Sequence, residues 1–259
     1  ARELREELGI AVRTAYPWLT RAFTYPHATV RLHFFRVTAW SGELHPHEGQ
    51  QFSWQLPTAV SVEPILPANA PILRALELPT LYAISNVSEL GAEVFLTRLQ
   101  VKLDAGLRLI QLREKHLARE ELKALAQRVV SMSHSCGTKV LLNGDVALAQ
   151  EVGADGVQLT SSQLSGLSER PDVDWCAASC HNAGELLRAE ALGCDFALLS
   201  PVLPTQSHPG APHLGWQSFA AMTAGATIPV YALGGLMEDD MVAAWRCGAH
   251  GIALLRQAW

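Results

Sequence analysis

The hydrophobic and polar positions change rhythm once along the chain. Over Thr29–Val37 they alternate for much of the length, as in a strand with one buried face. Residues 11–56 as a whole read as strand-like, with Ser41-Gly42-Glu43 as a turn and Gln51–Trp54 as a further strand. Prolines then crowd the chain at Pro57, Pro64, Pro67, Pro71 and Pro79. Within that stretch, Ala70–Leu76 predicts a short helix with proline in its first turn. Pro79 follows it and marks a joint, dividing the chain into residues 1–78 and 80–259.

Beyond the joint, short apolar runs without polar alternation take over, the pattern of strands buried on both faces. They are Leu81–Ser85, Leu107–Arg113, Lys139–Asn143, Gly156–Leu159, Trp175–Cys180, Phe196–Val202, Val230–Gly235 and Gly251–Arg256. Helical patterns such as Arg119–Ser133 and Ala183–Leu192 lie between most of them. Eight strand–helix repeats predict an α/β chain closed into a (β/α)8 barrel. At about 180 residues the segment is shorter than the usual ~250, which short loops and a clipped last helix would accommodate. The alternative, an open doubly wound sheet, lacks its G-x-G-x-x-G after the first strand.

Composition fits this picture. With 259 residues, 49% hydrophobic and 17% charged, the chain can build a substantial core as one large or two medium domains. A net charge of −5 speaks against direct nucleic-acid binding. The five cysteines include no C-x-x-C pair and read as small buried thiols, so a cytoplasmic location is expected. No apolar run approaches the ~20 residues of a membrane span, so no membrane partner is expected.

The first ten residues carry candidate chemistry. Glu3, Glu6 and Glu7 share one helical face, where like charges repel unless a hard divalent cation offsets them. A solvated acidic face is the competing reading. Leu8-Gly9-Ile10 follows as a helix stop leading into a strand. The run Arg2-Glu3-Leu4-Arg5-Glu6-Glu7-Leu8-Gly9-Ile10 resembles the second half of the Nudix box, and His47-Glu48-Gly49-Gln50 resembles a loop of MutT-type Nudix enzymes. The resemblance implies an α/β/α Nudix domain over residues 1–78 that hydrolyses 8-oxo-guanine nucleoside triphosphates. Glu3, Glu6, Glu7 and Glu48 would then bind the catalytic Mg2+, with Mn2+ as a substitute, and Glu48 would be a candidate base. Asn69, in Leu66–Pro71, matches the asparagine that reads the oxidised purine, and it also suits a helix cap. The chain starts after the first half of the box and has no initiator Met, so a fragment of a longer polypeptide is expected. Hydrolysis is accordingly expected of the parent protein rather than of this form, and an unpaired sheet edge here invites a homodimer.

In the second half, three sites fall at the C-terminal ends of predicted strands, where barrel enzymes keep their chemistry. Alternation puts Gln111, Arg113 and Lys115 on one side, two cations and an amide suited to a phosphate or pyrophosphate. Asn143-Gly144-Asp145 ends the third strand, and Ser200–Gly210 after the sixth is rich in hydroxyls and turn formers. Gly234-Gly235 allows close backbone approach to a ligand. Ordinary surface charges and a common turn are the bland readings of each motif alone.

Together these motifs resemble the thiamine phosphate synthase and TenI family over nearly all of residues 81–259. The resemblance implies a pocket for a phosphorylated thiazole or pyrimidine. Gln111, Arg113 and Lys115 match its Q-x-R-x-K strand end, which binds the pyrimidine pyrophosphate, and Asn143 matches the asparagine of its I-N-D segment. Ser179 and His181 match its strand-5 end, Thr205 and Ser207 its T-x-T loop, and Gly234 and Gly235 its thiazole-phosphate glycines. His181 also matches the histidine that moves a ring proton in TenI-type tautomerases, a role open beside that of a hydrogen-bonded core residue. The chain departs from the synthases at Gly144, at Thr160-Ser161-Ser162-Gln163 and at His208. The first two sites lose Mg2+ carboxylates, with Asp145 a candidate partial substitute, so the phosphate pocket survives better than a barrel metal site. A barrel without catalysis, acting as a phosphate-ligand sensor or structural partner, is the alternative.

Overall fold

The computed structural model describes residues 2–47, 49, 51–206 and 210–259. The chain opens with helix α1 (Arg2–Leu8) and a long antiparallel ribbon, β1 (Ala11–Thr24) and β2 (Thr29–Ser41). Cross-strand pairs such as Val12↔Trp40 and Pro17↔Phe35 set its register, and three irregularities bend it. The expected strand Gln51–Trp54 is not formed. That stretch forms no ladder with another strand, although Trp54 stacks on Trp40 of β2 (6.5 Å), and it leaves Phe52 and Trp54 exposed. Helix α2 (Ala70–Leu76) starts and stops where the sequence predicts.

Eight parallel strands follow and close into a barrel: β3 (Leu81–Ile84), β4 (Leu109–Leu112), β5 (Lys139–Asn143), β6 (Gly156–Leu159), β7 (Trp175–Cys180), β8 (Phe196–Leu199), β9 (Val230–Leu233) and β10 (Gly251–Leu254). Strand β10 pairs with β3 to complete the ring. Between them run α3 (Val87–Leu90), α4 (Ala92–Asp104), α5 (Arg119–Ser135), α6 (Val146–Val152), α7 (Ser161–Gly166), α8 (Ala183–Leu192), α9 (Gly215–Thr223) and α10 (Met241–Arg246). Among the described residues no helix is long and apolar enough to cross a membrane.

Alternate strand residues divide the core in two. One set, including Ala83, Ile110, Val140 and Leu199, packs outward against helix residues such as Phe95, Leu99, Val129 and Leu186. The other set fills the barrel with Trp175, Tyr82, Phe196 and Tyr231. Tyr82, Phe196 and Tyr231 contact one another with ring centroids 5.4–5.6 Å apart, mostly edge-on, as aromatic quadrupoles prefer.

The ribbon and α2 close the N-terminal end of the barrel. Trp18, Leu19, Ile72 and Ala75 form a small buried cluster with Phe34 packed against it. The Thr20 amide donates to the Ala226 carbonyl (3.0 Å), and the Arg21 guanidinium to that of Thr227 (2.9 Å). Both acceptors lie just before β9. The first eighty residues are thus a seven-residue helix, a two-stranded ribbon and a short helix seated against the barrel. Helix α1 contributes no buried residue.

Candidate active site

The opposite end of the barrel is open. A cavity of about 460 Å³ lies over the C-terminal ends of the strands. Gln111, Arg113, Lys115, Asn143, Ser179, His181, Thr205, Gly234 and Gly235, nine residues the sequence selects from separate segments, all line it. Each stands at or just past a strand end, so parallel strand direction brings them to one face. Ser207 lies outside the described residues, as does His208.

The floor of the cavity is a chain of hydrogen bonds. Asn143 Nδ2 donates to Gln111 Oε1 (3.1 Å), and Gln111 Nε2 donates to the Tyr82 hydroxyl (3.4 Å). That hydroxyl donates to Gln158 Oε1 (3.2 Å), and Gln158 Nε2 donates to Ser179 Oγ (3.1 Å). Burial pushes the Tyr82 hydroxyl far above the usual phenol range, so it stays protonated and can donate to Gln158 while accepting from Gln111. Because Ser179 Oγ accepts from Gln158, its own proton is left to donate elsewhere. Sequence reading missed Tyr82 and Gln158. The signal for Gln158 is a glutamine inside the apolar run Gly156–Leu159, since a buried amide must find partners.

Above that floor stand Arg113 and Lys115. Neither has a carboxylate within ion-pair distance among the described residues. Glu114, between them, is buried and accepts from the Ser85 hydroxyl and the Val87 amide, which holds this strand end in place. Arg256 also lines the cavity and pairs with Glu89. The described lining contains no Asp or Glu. A cleft with fixed cations and no carboxylate attracts an anion.

His181 sits on the rim. Its Nδ1 lies 2.8 Å from the Ser200 carbonyl oxygen, which can only accept, so Nδ1 carries the hydrogen. In the neutral ring Nε2 is then the basic nitrogen, and it makes no hydrogen bond among the described residues. The His181 amide donates to Glu185 Oε2 (2.7 Å), which anchors the residue at the start of α8.

Gly234 and Gly235 are required for a reason the sequence did not reveal. Both have positive φ, 108° and 70°. A Cβ on Gly234 would fall 2.7 Å from Pro201 Cβ, and one on Gly235 2.3 Å from the Pro204 carbonyl oxygen. The Leu203 amide donates to the Gly234 carbonyl (3.0 Å). The missing side chains leave room for the loop after β8.

Asp145 has both carboxylate oxygens engaged by the chain itself. Its Oδ1 caps α6 by accepting from the Leu148 amide (2.8 Å), and its Oδ2 accepts from Arg119 (2.7 Å). An N-cap aspartate followed by a helix explains this placement.

The N-terminal candidates are dispersed relative to this mouth. Glu3, Glu6 and Glu7 are exposed on α1, and Arg2 pairs with Glu6. Among the described residues no group of three His, Cys, Asp or Glu could hold a metal, these three included. Glu48 lies outside the described residues. The His45 and His47 amides donate to the Leu8 and Glu7 carbonyls (3.1 and 3.0 Å), which ties that loop to the end of α1. Asn69 is partly buried at the start of α2 and makes no side-chain cap, so the capping role is not realised.

Comparison with known proteins agrees with the barrel fold. The thiamine monophosphate synthase (TMP-TENI) family model matches residues 81–258. A putative thiamine-phosphate synthase 2 of Aquifex aeolicus is 36% identical over 180 residues, covering 69% of this chain and 96% of the relative. A putative thiamine-phosphate synthase of Geobacter sulfurreducens is 35% identical over 181 residues, covering 68% and 84%. Among solved structures, a thiamine phosphate pyrophosphorylase from Pyrococcus furiosus superposes with a TM-score of 0.58 at 25% identity, covering 68% of this chain and 85% of that one. The family match begins at Leu81, so it does not extend to a Nudix domain.

Proposed function

The chain belongs to the thiamine monophosphate synthase family, and from that premise we propose that its barrel binds a phosphorylated thiazole and moves a proton on the ring through His181. The observation that carries this reading is the His181 tautomer. Its Nδ1 hydrogen is committed to the Ser200 carbonyl, which leaves Nε2 as the base on the rim of a cationic cavity. Arg113, Lys115 and the Gly234-Gly235 turn supply the phosphate end, and Ser179 supplies a hydroxyl donor beside the ring. Nε2 takes a proton from one ring atom and returns it to another, so no group leaves and no oxidant is needed. Condensing a pyrimidine pyrophosphate with the thiazole, the synthase reaction, asks for more: a charged leaving group must be stabilised, and the described lining offers Arg113 and Lys115 but no acidic metal ligand.

The test is NMR of a thiazole phosphate in D2O. Protein-dependent deuterium uptake into the ring is expected, abolished in His181→Asn while ligand binding persists. Uptake unchanged in His181→Asn overturns the assignment. Binding without uptake in the wild-type protein makes the barrel a phosphate-ligand sensor.

A second reading concerns the N-terminal segment, favoured by the bonds of the His45 and His47 amides to the end of α1. It is Mg2+-dependent hydrolysis of oxidised purine nucleoside triphosphates, which would need Glu48 to join Glu3, Glu6 and Glu7, since those three by themselves form no metal group, with Asn69 against the base. Mg2+, or Mn2+ in its place, supplies phosphate charge neutralisation and an activated water when bound. Pyrophosphate release from 8-oxo-dGTP in Mg2+, lost in Glu6→Gln, tests it, and no release refutes it for this chain.

A further inference from the structure

Two loops of the mouth are joined by a side chain. The Gly144 turn after β5 and the Thr160 turn after β6 lie side by side, and the Gln163 side chain joins them. Its Nε2 donates to the Gly144 carbonyl (2.6 Å), and its Oε1 accepts from both the amide and the hydroxyl of Thr160 (3.0 Å each). Gly144 has φ 74°, and a Cβ there would lie 3.3 Å from Gln163 Oε1. The amide therefore packs against the turn as well as bonding to it.

The donor set around this junction does not fit a divalent cation. Mg2+ demands hard oxygen ligands, and protein sites for it are built on carboxylates. The described lining has none, and the undescribed Ser207, His208 and Pro209 are not acidic. Both oxygens of Asp145 are already engaged by Leu148 and Arg119. Gln163 Oε1 already accepts twice. Arg113 and Lys115 line the same cavity and repel a cation.

We infer that the mouth takes its phosphate ligand without a divalent metal, and that the Gln163 amide does the loop-joining a shared cation would otherwise do. Gln163 is in this sense a positioning residue. It holds the turn that follows Asn143, and Asn143 in turn orients Gln111. The inference rests on the proposed phosphate-binding role of the mouth.

The experiment is calorimetric titration with inorganic phosphate in EDTA and again in excess Mg2+, on wild-type protein and on Gln163→Ala. The expected affinities in the two media agree within about twofold, because the protein's own cations neutralise the anion. Gln163→Ala is expected to weaken phosphate severalfold in both media while its circular dichroism is unchanged. Wild-type binding that tightens about tenfold or more with Mg2+ overturns this inference alone, since a bridging cation is then present. Gln163→Ala that binds like the wild type removes the positioning role. No phosphate binding in either medium overturns both the proposed function and this inference. The wild-type comparison does not depend on how the variant folds.

Discussion

The two ends of the barrel use the same residue types to opposite effect. At the N-terminal end, His250 is almost fully buried, and both ring nitrogens are engaged. Trp18 Nε1 donates to Nδ1 (3.1 Å), and Nε2 donates to the Leu78 carbonyl (2.9 Å). At the mouth, His181 uses one ring nitrogen and keeps the other. The arginines differ in the same way. Arg74 lies over the Trp175 ring at 3.4 Å and pairs with Asp174, whereas Arg113 has no such partner. Arg36 donates to the His250 carbonyl and sits over the Trp245 ring at 4.9 Å. Polar groups at the closed end are satisfied by the chain itself and hold it together. At the open end Arg113, Lys115 and His181 Nε2 keep capacity for a ligand.

The largest effect that tests this contrast is the pH dependence of His250. Burial, reinforced by the Arg36 charge, pushes its imidazole down from 6.5 to about 3. The unfolded chain therefore takes up this proton first. Stability present above pH 6.5 is lost as pH falls toward 3, by an amount approaching roughly 5 kcal/mol for this one group. Urea denaturation across that range should show a steeper acid loss for the wild type than for His250→Gln. Equal slopes would mean the ring is not held neutral in the folded protein.

Next in size is Gly235→Ala, compared with Gly153→Ala. Both glycines have φ 70°, but a Cβ on Gly153 meets nothing within 4 Å. The Gly153 change should cost about 1 kcal/mol, the strain of the left-handed backbone alone. Gly235→Ala should cost about 2–4 kcal/mol through its clash with the loop after β8, and should weaken phosphate as well. Similar losses for both would show that the loop yields easily.

Arg74→Ala should cost less than Gly235→Ala, a loss of about 1–2 kcal/mol from the ring contact and its partly exposed ion pairs. It should leave phosphate affinity unchanged. A change in affinity would couple the two ends and end the division drawn between them.

The apolar runs of the second half were legible because strands buried on both faces can hardly be anything else. β5, β6 and β7 start and stop where the sequence places them, and the others differ by trimmed ends. The mouth residues were legible for a related reason: a strand end in a parallel barrel can point only to one face, so position along the chain becomes position in space. Gln51–Trp54 was misread because its strand-like composition needs a neighbouring strand to become one.

What local pattern decides in this protein is therefore the eight strands, their direction, and the cationic, carboxylate-poor character of their C-terminal ends. Those follow from side-chain periodicity and residue chemistry, which act over a few residues. Long-range packing decides which polar groups are spent. It commits both oxygens of Asp145, turns Gln163 back onto Gly144, threads Asn143, Gln111, Tyr82, Gln158 and Ser179 into one chain of hydrogen bonds, and seats Trp18 against His250. A hydrogen bond depends on where a partner from another segment comes to lie, and no periodicity along one segment carries that information.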